Sequence, residues 1–248
     1  WKDFLIISLL QSFMRKKRIA ILGSIPDEIH MFKKLKNENR WNHFEIEPFV
    51  AGIGKTAAAM TTQRVVMDFE PDIMFYTGFG GALESDIGLH DIAVVSSVID
   101  ADLDARAFEP SIARGQNPFT GDRVFNCDDR LVTLALQAQG EHTGFDAYVA
   151  TTSQFLNQEG KESFIKEIVP QLKATINGQE RYPNVVDMES SGFVTVAAAN
   201  NVPCLVLRNI ANTVQQDALS EYLDTVLKRV ENYYAIVVHI LDNLPNDF

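Results

Sequence analysis

The sequence contains little of what disulfide-rich and metal-binding proteins depend on. It has two cysteines, Cys127 and Cys204, which lie far apart in the chain, and five scattered histidines. None of the histidines stands at ligand spacing from another histidine or from a cysteine, so we expect no metal site. We expect both cysteines to be free and buried in a reducing compartment, and hence a cytoplasmic protein.

Positive charge is also scarce. The sequence has 22 Lys and Arg residues and 33 Asp and Glu residues, for a formal net charge of −11. This balance argues against nucleic acid or an anionic membrane surface as a partner. An apolar run at residues 4–10 is far shorter than the roughly 20 residues of a membrane span. Basic residues follow that run, whereas a signal peptide would place them first. We therefore expect no membrane partner and treat residues 1–13 as a non-native or disordered extension of one domain, residues 14–248.

One stretch imitates a nucleotide-binding loop. "VAGIGKTAAAM" (50–60) contains the G-K-[ST] pattern, but a phosphate loop needs a glycine five positions before Gly54, where this chain has Phe49. The ATP-binding interpretation therefore fails. The residues leave two others open: a structural turn whose glycines let a helix begin at Lys55, or the same turn facing a ligand other than a triphosphate.

Apolar strand patterns alternate with helical patterns along the chain, without a linker or an internal repeat. Strands are predicted at 18–23, 44–52, 72–83, 90–103, 145–156 and 202–212, and helices over "PDEIHMFKKL", "KTAAAMTTQRVVMDF", "DRLVTLALQAQ" and 219–241. Residues 184–201 are predicted to begin as a strand and to become a helix near Glu189. This alternation predicts an α/β domain built as a three-layer sandwich, in which helices flank a central mixed, largely parallel β-sheet.

Ligands of such sheets bind beyond the carboxyl ends of the strands. Small residues beside a few polar ones stand at these ends: Gly23-Ser24 with Glu28, Gly52–Gly54, Gly78–Gly81, Phe155, Asp187–Glu189 and Arg208–Asn212. One site assembled from all of these segments is the economical hypothesis.

Six stretches carry a family resemblance: "IAILGSIPDEI", "VAGIGKTAAAM", "YTGFGGAL", "SQFLN", "VVDMESSG" and "LVLRNIAN". In their order and spacing the chain resembles the 5′-methylthioadenosine/S-adenosylhomocysteine nucleosidases of the nucleoside phosphorylase superfamily, from Arg18 to Leu244. The resemblance implies cofactor-free hydrolysis of a purine nucleoside to free base and ribose derivative. It also implies a homodimer with shared active sites and a glycine turn that lies beside each site.

The resemblance implies roles for individual residues. Glu28 would activate water, Glu189 would hold the ribose hydroxyls, and Met188 would pack against the ribose. Phe155 would stack on the purine, and Leu156 would offer backbone groups to the base edge. From the residues alone, the two glutamates are typical of acids at helix N-termini, and Phe155 is more typical of a core aromatic.

Further positions would complete the substrate site. Asp187 would support it from the edge, and Arg208 would organise it as a buried arginine that must have partners. Phe108 would be supplied by the dimer partner to the 5′-substituent pocket. Gly80 and Ile53 are also assigned to substrate binding.

Asn212 departs from the family pattern, which has an aspartate general acid in a Ser-Asp pair where this chain has Ala211-Asn212. General acid catalysis contributes roughly 10²–10⁴-fold, and an asparagine cannot deliver a proton. Four interpretations stay open: a weak or altered nucleosidase whose Asn212 contacts N7 of the base, a 6-oxopurine nucleoside hydrolase of the futalosine type, a purine-nucleoside binder without turnover, and an engineered substitution. Asp217 is the alternative proton source.

Phosphorolysis is the neighbouring chemistry in the superfamily and would need arginine and hydroxyl donors for phosphate. The stretches "SIPDEI" and "TGFGGA" contain no arginine. Hydrolysis is therefore preferred.

Overall fold

The computed structural model describes residues 15–138, 144–214, 231–245 and 248. The extension at residues 1–13, Asp217 and the first part of the predicted C-terminal helix lie outside these residues. The strands are β1 Lys17–Gly23, β2 Phe44–Val50, β3 Ile73–Ala82, β4 Ile92–Asp100, β5 Val124–Asn126, β6 Gly144–Thr151, β7 Ala174–Ile176, β8 Gln179–Arg181, β9 Val185–Asp187 and β10 Cys204–Asn212.

The α-helices are α1 Pro26–Ile29, α2 Lys55–Phe69, α3 Asp129–Leu136, α4 Gln158–Ser163, α5 Ser190–Ala199 and α6 Glu231–Asn243. Short 3-10 segments cover His30–Asn37, Asn39–Trp41 and Val169–Leu172, and a π-helical segment covers Phe164–Ile168. No helix within the described ranges is long and apolar enough to cross a bilayer.

The prediction of an α/β domain with a mixed sheet and flanking helices is confirmed. Within the eight-stranded sheet, five pairings are parallel and three are antiparallel. The short strands β5, β7 and β8 were not predicted, since three residues show no periodic pattern, and β9, which is equally short, was predicted only as the start of the segment that continues into α5.

The predicted flat three-layer sandwich is wrong, because the sheet closes on itself. Strand β3 pairs with β10, β10 with β4, β4 with β6, β6 with β9, and β9 with β3, which makes a five-stranded barrel. Strand β3 makes the closure possible through its length. One edge pairs with β10 from Met74 to Gly81, while the other pairs first with β1 and then, at Gly81 and Ala82, with β9. Strands β1, β2 and β5 lie outside the closed ring.

The close approach of α2 and α5 holds the glycine turn at Gly52–Gly54, whose sequence is similar to that of a phosphate loop. Gly52 and Gly54 both have φ of +89°, which L side chains rarely adopt, and α2 begins directly afterwards at Lys55. Gly192 in α5 lies against this first turn, and a Cβ there would stand 2.2 Å from the Lys55 carbonyl oxygen. The two helices therefore pack backbone to backbone beside Glu189, the residue that precedes α5.

We expect Gly192→Ala to lower the free energy of unfolding by about 1–3 kcal/mol, as overpacking does in a rigid contact. Alanine is the better helix former by about 1 kcal/mol, but a backbone carbonyl cannot turn away from the added methyl group as a side chain could. Urea titration measures the change. Gly88→Ala is the control, because its Cβ would meet no atom closer than 3.6 Å. Equal midpoints for the two variants would contradict the close helix contact.

Candidate active site

A cavity of about 350 Å³ opens where several strand ends meet. Its lining comes from the turn after β1, from β3, from the segment after β6, from β9 and from the end of β10. The lining residues are Ser24, Ile25, Glu28, Ile53, Phe79, Gly80, Gly81, Gln154, Phe155, Leu156, Lys161, Val186, Asp187, Met188, Glu189, Ala211 and Asn212. Since β9 runs antiparallel to β3, the barrel brings together the ends of strands that run in opposite directions.

Most of the residues that the sequence assigned to the site line this one cavity. They are Glu28, Ile53, Gly80, Phe155, Leu156, Asp187, Met188, Glu189 and Asn212. Arg208 lies fully buried behind the lining. Phe108 is not part of the lining: its side chain is 70% exposed, and its ring centroid lies 5.9 Å from that of Phe119.

The buried guanidinium of Arg208 holds the acidic wall of the cavity. Its Nε lies 2.8 Å and its Nη2 2.6 Å from Asp187 Oδ2. Nη2 also lies 3.5 Å from Glu189 Oε2 and 3.2 Å from Ser190 Oγ. The ring of Tyr76 lies 4.9 Å from the guanidinium carbon, within range of a cation–π contact. A buried charge needs such partners, because leaving one unpaired costs several kcal/mol.

Asp187 is a fully engaged structural carboxylate. Besides Arg208, its Oδ1 accepts a hydrogen bond from Thr151 Oγ1 at 2.7 Å, and its Oδ2 accepts the Ser190 N–H at 3.1 Å. The Ser190 hydroxyl also donates to Oδ2. Asp187 thus joins the end of β6 to the start of α5 and orients Arg208.

Glu189 keeps acceptor capacity for a ligand. Its Oε1 accepts the N–H of Gly54 at 2.9 Å, so the glycine turn before α2 positions this carboxylate. Each carboxylate oxygen has a second lone pair, and Glu189 can therefore accept further hydrogen bonds from a ligand's hydroxyl groups. Burial raises the pKa of Glu189, the charge of Arg208 opposes that rise, and the charge of Asp187 adds to it.

Glu28 is poised to exchange a proton near neutral pH. Burial raises the pKa of Glu28 from 4.5 to about 7, against the lowering effect of Arg208 and with a further rise from Glu189. Its Oε2 accepts the N–H groups of Ser24 and, at 3.3 Å, Ile25. Among the described residues, Oε1 accepts no hydrogen bond. One face of the carboxylate is thus held by backbone while the other can serve a ligand.

Gly78 has no side chain, so Glu28 and Arg208 can both approach its Cα. A Cβ at Gly78 would stand 2.5 Å from Arg208 Nη1 and 2.9 Å from Glu28 Oε1. In the part of the chain that the structure describes, Arg208 Nη1 has no hydrogen-bond partner. A donor and an acceptor therefore flank a glycine backbone where a small polar molecule could bridge them.

Apolar side chains line the same cavity. Phe155 lies in the segment after β6, and Met188, Ile53 and Leu156 also line the cavity. Phe155 and Ile53 are 47% and 64% exposed, so both stand at the mouth. A cavity lined by carboxylates and by a flat aromatic side chain suits a ligand with a polar part and a planar apolar part.

Lys161 is a lining residue that the sequence analysis missed. It lies in α4, is 1% exposed, and donates to Asn212 Oδ1 and, at 2.8 Å, to the carbonyl oxygen of Thr213. No sequence signal marked it, because a lysine in "NQEGKESF" has the polar neighbours of a surface lysine. Its burial follows from the position of α4 against the end of β10.

The comparisons with known proteins agree with this fold. The family model described as "Phosphorylase superfamily" matches residues 18–242, and the chain belongs to that superfamily. Among curated proteins, it is 27% identical to a 5′-methylthioadenosine/S-adenosylhomocysteine nucleosidase of Glaesserella parasuis, over 91% of this chain and 99% of that protein. It is 25% identical to the nucleosidase of the same name from a Geobacillus species, over 90% and 99% of the two chains.

Two solved structures from Helicobacter pylori share the fold. One is a 5′-methylthioadenosine/S-adenosyl homocysteine nucleosidase, with a TM-score of 0.78 and 22% identity over 92% of this chain and 99% of that one. The other is the native futalosine hydrolase, with the same TM-score, identity and coverage. At this identity the structural likeness establishes the fold and does not separate the two activities.

The raised pKa of Glu28 predicts a specific dependence of stability on pH. Its folded value of about 7 lies above its ordinary 4.5, so this group's contribution to stability is full below pH 4.5 and is lost as the pH rises through 7. The loss is about 3 kcal/mol. Glu28→Gln keeps an acceptor for the backbone N–H groups but cannot ionise, so its stability should fall less between these pH values.

Urea titrations at several pH values measure this difference. Glu167→Gln, which removes an exposed carboxylate in the π-helical segment, is the control and should follow the wild-type curve. Parallel curves for wild type and Glu28→Gln would show that Glu28 titrates like a solvated glutamate.

Proposed function

We propose that this protein is a purine nucleoside N-ribosyl hydrolase of the 5′-methylthioadenosine/S-adenosylhomocysteine type, which releases a free base and a ribose derivative. The observation that carries the proposal is that Glu28, Glu189 and Phe155 line one cavity, with the buried Arg208 within 3.5 Å of the Glu189 carboxylate. The curated relatives that match nearly their full length carry the nucleosidase name.

The acidic wall suits the sugar. Glu189 would accept hydrogen bonds from the 2′- and 3′-hydroxyls, and its negative charge would favour the positive charge that develops on the ribosyl ring. Met188 would pack beside the ribose. Arg208 and the Gly54 N–H hold the Glu189 carboxylate in place, so little reorganisation accompanies the reaction.

Glu28 suits the activation of water. A water molecule bridging Glu28 Oε1 and Arg208 Nη1 would satisfy both groups and lie beside the sugar. As this water attacks C1′, its proton would pass to Glu28, whose pKa of about 7 is close to the ideal for a general base at neutral pH. The C1′–N9 electron pair leaves with the base.

The apolar side chains of the cavity suit the base. Phe155 would stack on the purine, the backbone of Leu156 would contact its edge, and Asn212 would hydrogen-bond N7. Asn212 stands where the family pattern has an aspartate general acid, so proton transfer to the base does not come from this side chain. We therefore expect slower cleavage of adenine nucleosides than an acid at this position would allow.

Water is favoured over phosphate as the nucleophile. The lining carries three carboxylates, Glu28, Asp187 and Glu189, beside the single ammonium of Lys161. Arg208 is engaged by two of these carboxylates, and a phosphate dianion placed among them would meet like charge.

A 6-oxopurine nucleoside is the second candidate substrate. Because Lys161 occupies Asn212 Oδ1, the amide nitrogen of Asn212 is left to donate, and a 6-oxopurine offers acceptors at both N7 and O6. The futalosine hydrolase likeness in fold is compatible with this alternative. A purine-nucleoside binder without turnover is the alternative outside enzymes.

The assembly and location follow as parts of the proposal. Phe108 and Phe119 expose their rings on one surface, as expected if a second copy covers them and Phe108 reaches the partner's 5′-substituent pocket. A homodimer in the cytoplasm with no cofactor is the form we propose.

Product assays test the reaction. We expect free base and a reducing sugar from at least one of 5′-methylthioadenosine, S-adenosylhomocysteine, inosine and futalosine, with no dependence on added phosphate. Separation of bases by chromatography measures the products. Tight nucleoside binding by calorimetry with no base released from any of the four would establish a binder instead of an enzyme.

The acid–base assignment predicts how the rate varies. Because Glu28 must be ionised to accept a proton, kcat/KM should rise with pH and level off above about pH 7. Glu28→Gln should lower kcat by roughly 10²–10⁴-fold. Glu167→Gln should leave both the rate and the pH profile unchanged. A Glu28→Gln variant with near wild-type kcat would exclude this glutamate as the base.

A further inference from the structure

The contact between Lys161 and Asn212 defines which end of the Asn212 amide faces the ligand. An ammonium group has three donors and no acceptor, so the Asn212 atom next to Lys161 Nζ is the carbonyl oxygen. The hydrogen bonds of the described residues include none from Asn212 Nδ2. Since Asn212 lines the cavity, its N–H₂ group is left as a donor for the occupant.

Three further contacts keep this arrangement rigid. Lys161 Nζ also donates to the Thr213 carbonyl oxygen at 2.8 Å, and Gln158 Nε2 donates to the Val214 carbonyl oxygen at 2.9 Å. Two side chains of α4 therefore hold the segment that follows β10. On the other side, a Cβ at Gly81 would stand 2.5 Å from Asn212 Oδ1, so the amide packs directly against the backbone of β3.

We propose that Lys161 is a positioning residue that turns Asn212 into a fixed, charge-assisted donor for the departing base. The ammonium polarises the amide carbonyl, which strengthens the N–H bonds of the same amide as donors. This inference rests on the proposed function. It adds a means of stabilising the leaving group that needs no proton transfer from residue 212.

The reaction balances without an acid on the base. The C1′–N9 bond breaks with its electron pair on the purine ring, and the water oxygen bonds to C1′ while its proton passes to Glu28. The base leaves as an anion whose N7 accepts a hydrogen bond from Asn212 Nδ2. Glu28 then releases the proton that it took from the water molecule, and the base anion takes up a proton from solvent. This restores the ionised Glu28 at the end of the cycle. Bases with an acceptor at N7 and a stable anion are therefore the preferred leaving groups.

Binding of the free bases tests the N7 contact without turnover. Adenine and hypoxanthine are compared with their 7-deaza analogues, in which a C–H replaces N7, by calorimetry. Wild type should bind adenine and hypoxanthine about tenfold more tightly than their 7-deaza analogues, because one hydrogen bond to a polarised donor contributes about that much affinity. Lys161→Met should bring this ratio close to one, because the Asn212 amide can then rotate.

Two variants are matched to Lys161→Met. Lys166→Met removes an exposed lysine shortly after α4 and should keep the wild-type ratio. Lys161→Arg retains a charged donor and should restore part of the preference for N7. If Lys161→Met does not fold, Lys161→Gln takes its place: its amide can still donate to Asn212 Oδ1 but carries no charge, so the ratio should fall to between the wild-type value and one. If Lys161→Met weakens the binding of each base and of its 7-deaza analogue equally, the ratio of their affinities is unchanged. Lys161 would then have only a structural role, and the proposal would be overturned.

Kinetics with an aryl riboside separate this inference from the proposed function. A p-nitrophenyl riboside has a good leaving group that needs no contact with Asn212. Lys161→Met should lower kcat on a purine nucleoside about tenfold and leave the aryl riboside nearly unaffected. Equal losses on both substrates would overturn the inference while the hydrolase assignment stands. If wild type releases no base yet binds N7 bases through Lys161, the hydrolase assignment fails and the positioning role stands.

Discussion

The buried ion pair between Arg208 and Asp187 is the interaction on which the rest of the site depends. Arg208 has no access to solvent, and Asp187, Glu189 and Ser190 supply its partners from β9 and the start of α5. The same guanidinium offsets part of the rise that burial causes in the pKa values of Glu28 and Glu189. One cation thus lets two acids share a cavity that would otherwise favour their neutral forms.

Closure of the sheet is what brings these groups together. Without the β3–β10 pairing, β10 would lie at one edge of the sheet, separated from β9 by β4 and β6. Here β3 pairs with both, so Arg208 on β10 lies across Gly78 and Gly80 of β3 from Asp187 on β9. The glycines of β3 allow this approach, because side chains there would occupy the space of the guanidinium and of Glu28.

The cavity lining contains two kinds of side chain. The carboxylates are held by backbone N–H groups and by Arg208, and under the proposed function they would lie beside the sugar and favour its developing positive charge. Phe155 and the Asn212 amide held by Lys161 would lie beside the base and favour a leaving group that gains negative charge. Placing opposite electrostatics at the two ends of one bond stabilises its heterolysis.

The sequence alone determined the class of fold, the strand ends that carry the site and most of the residues that line it. The class of fold and the helix starting at Lys55 follow from local periodicity, whereas the acids at 28 and 189 were assigned from the family resemblance that short motifs in a fixed order carry. Barrel closure, the burial of Lys161 and the exposure of Phe108 were decided only by the tertiary structure. Each depends on which segments meet: β3 with β9, α4 with the end of β10, and Phe108 with Phe119. Hydrophobic patterns record how strongly a residue favours burial, but they carry no information on its neighbours across the sheet.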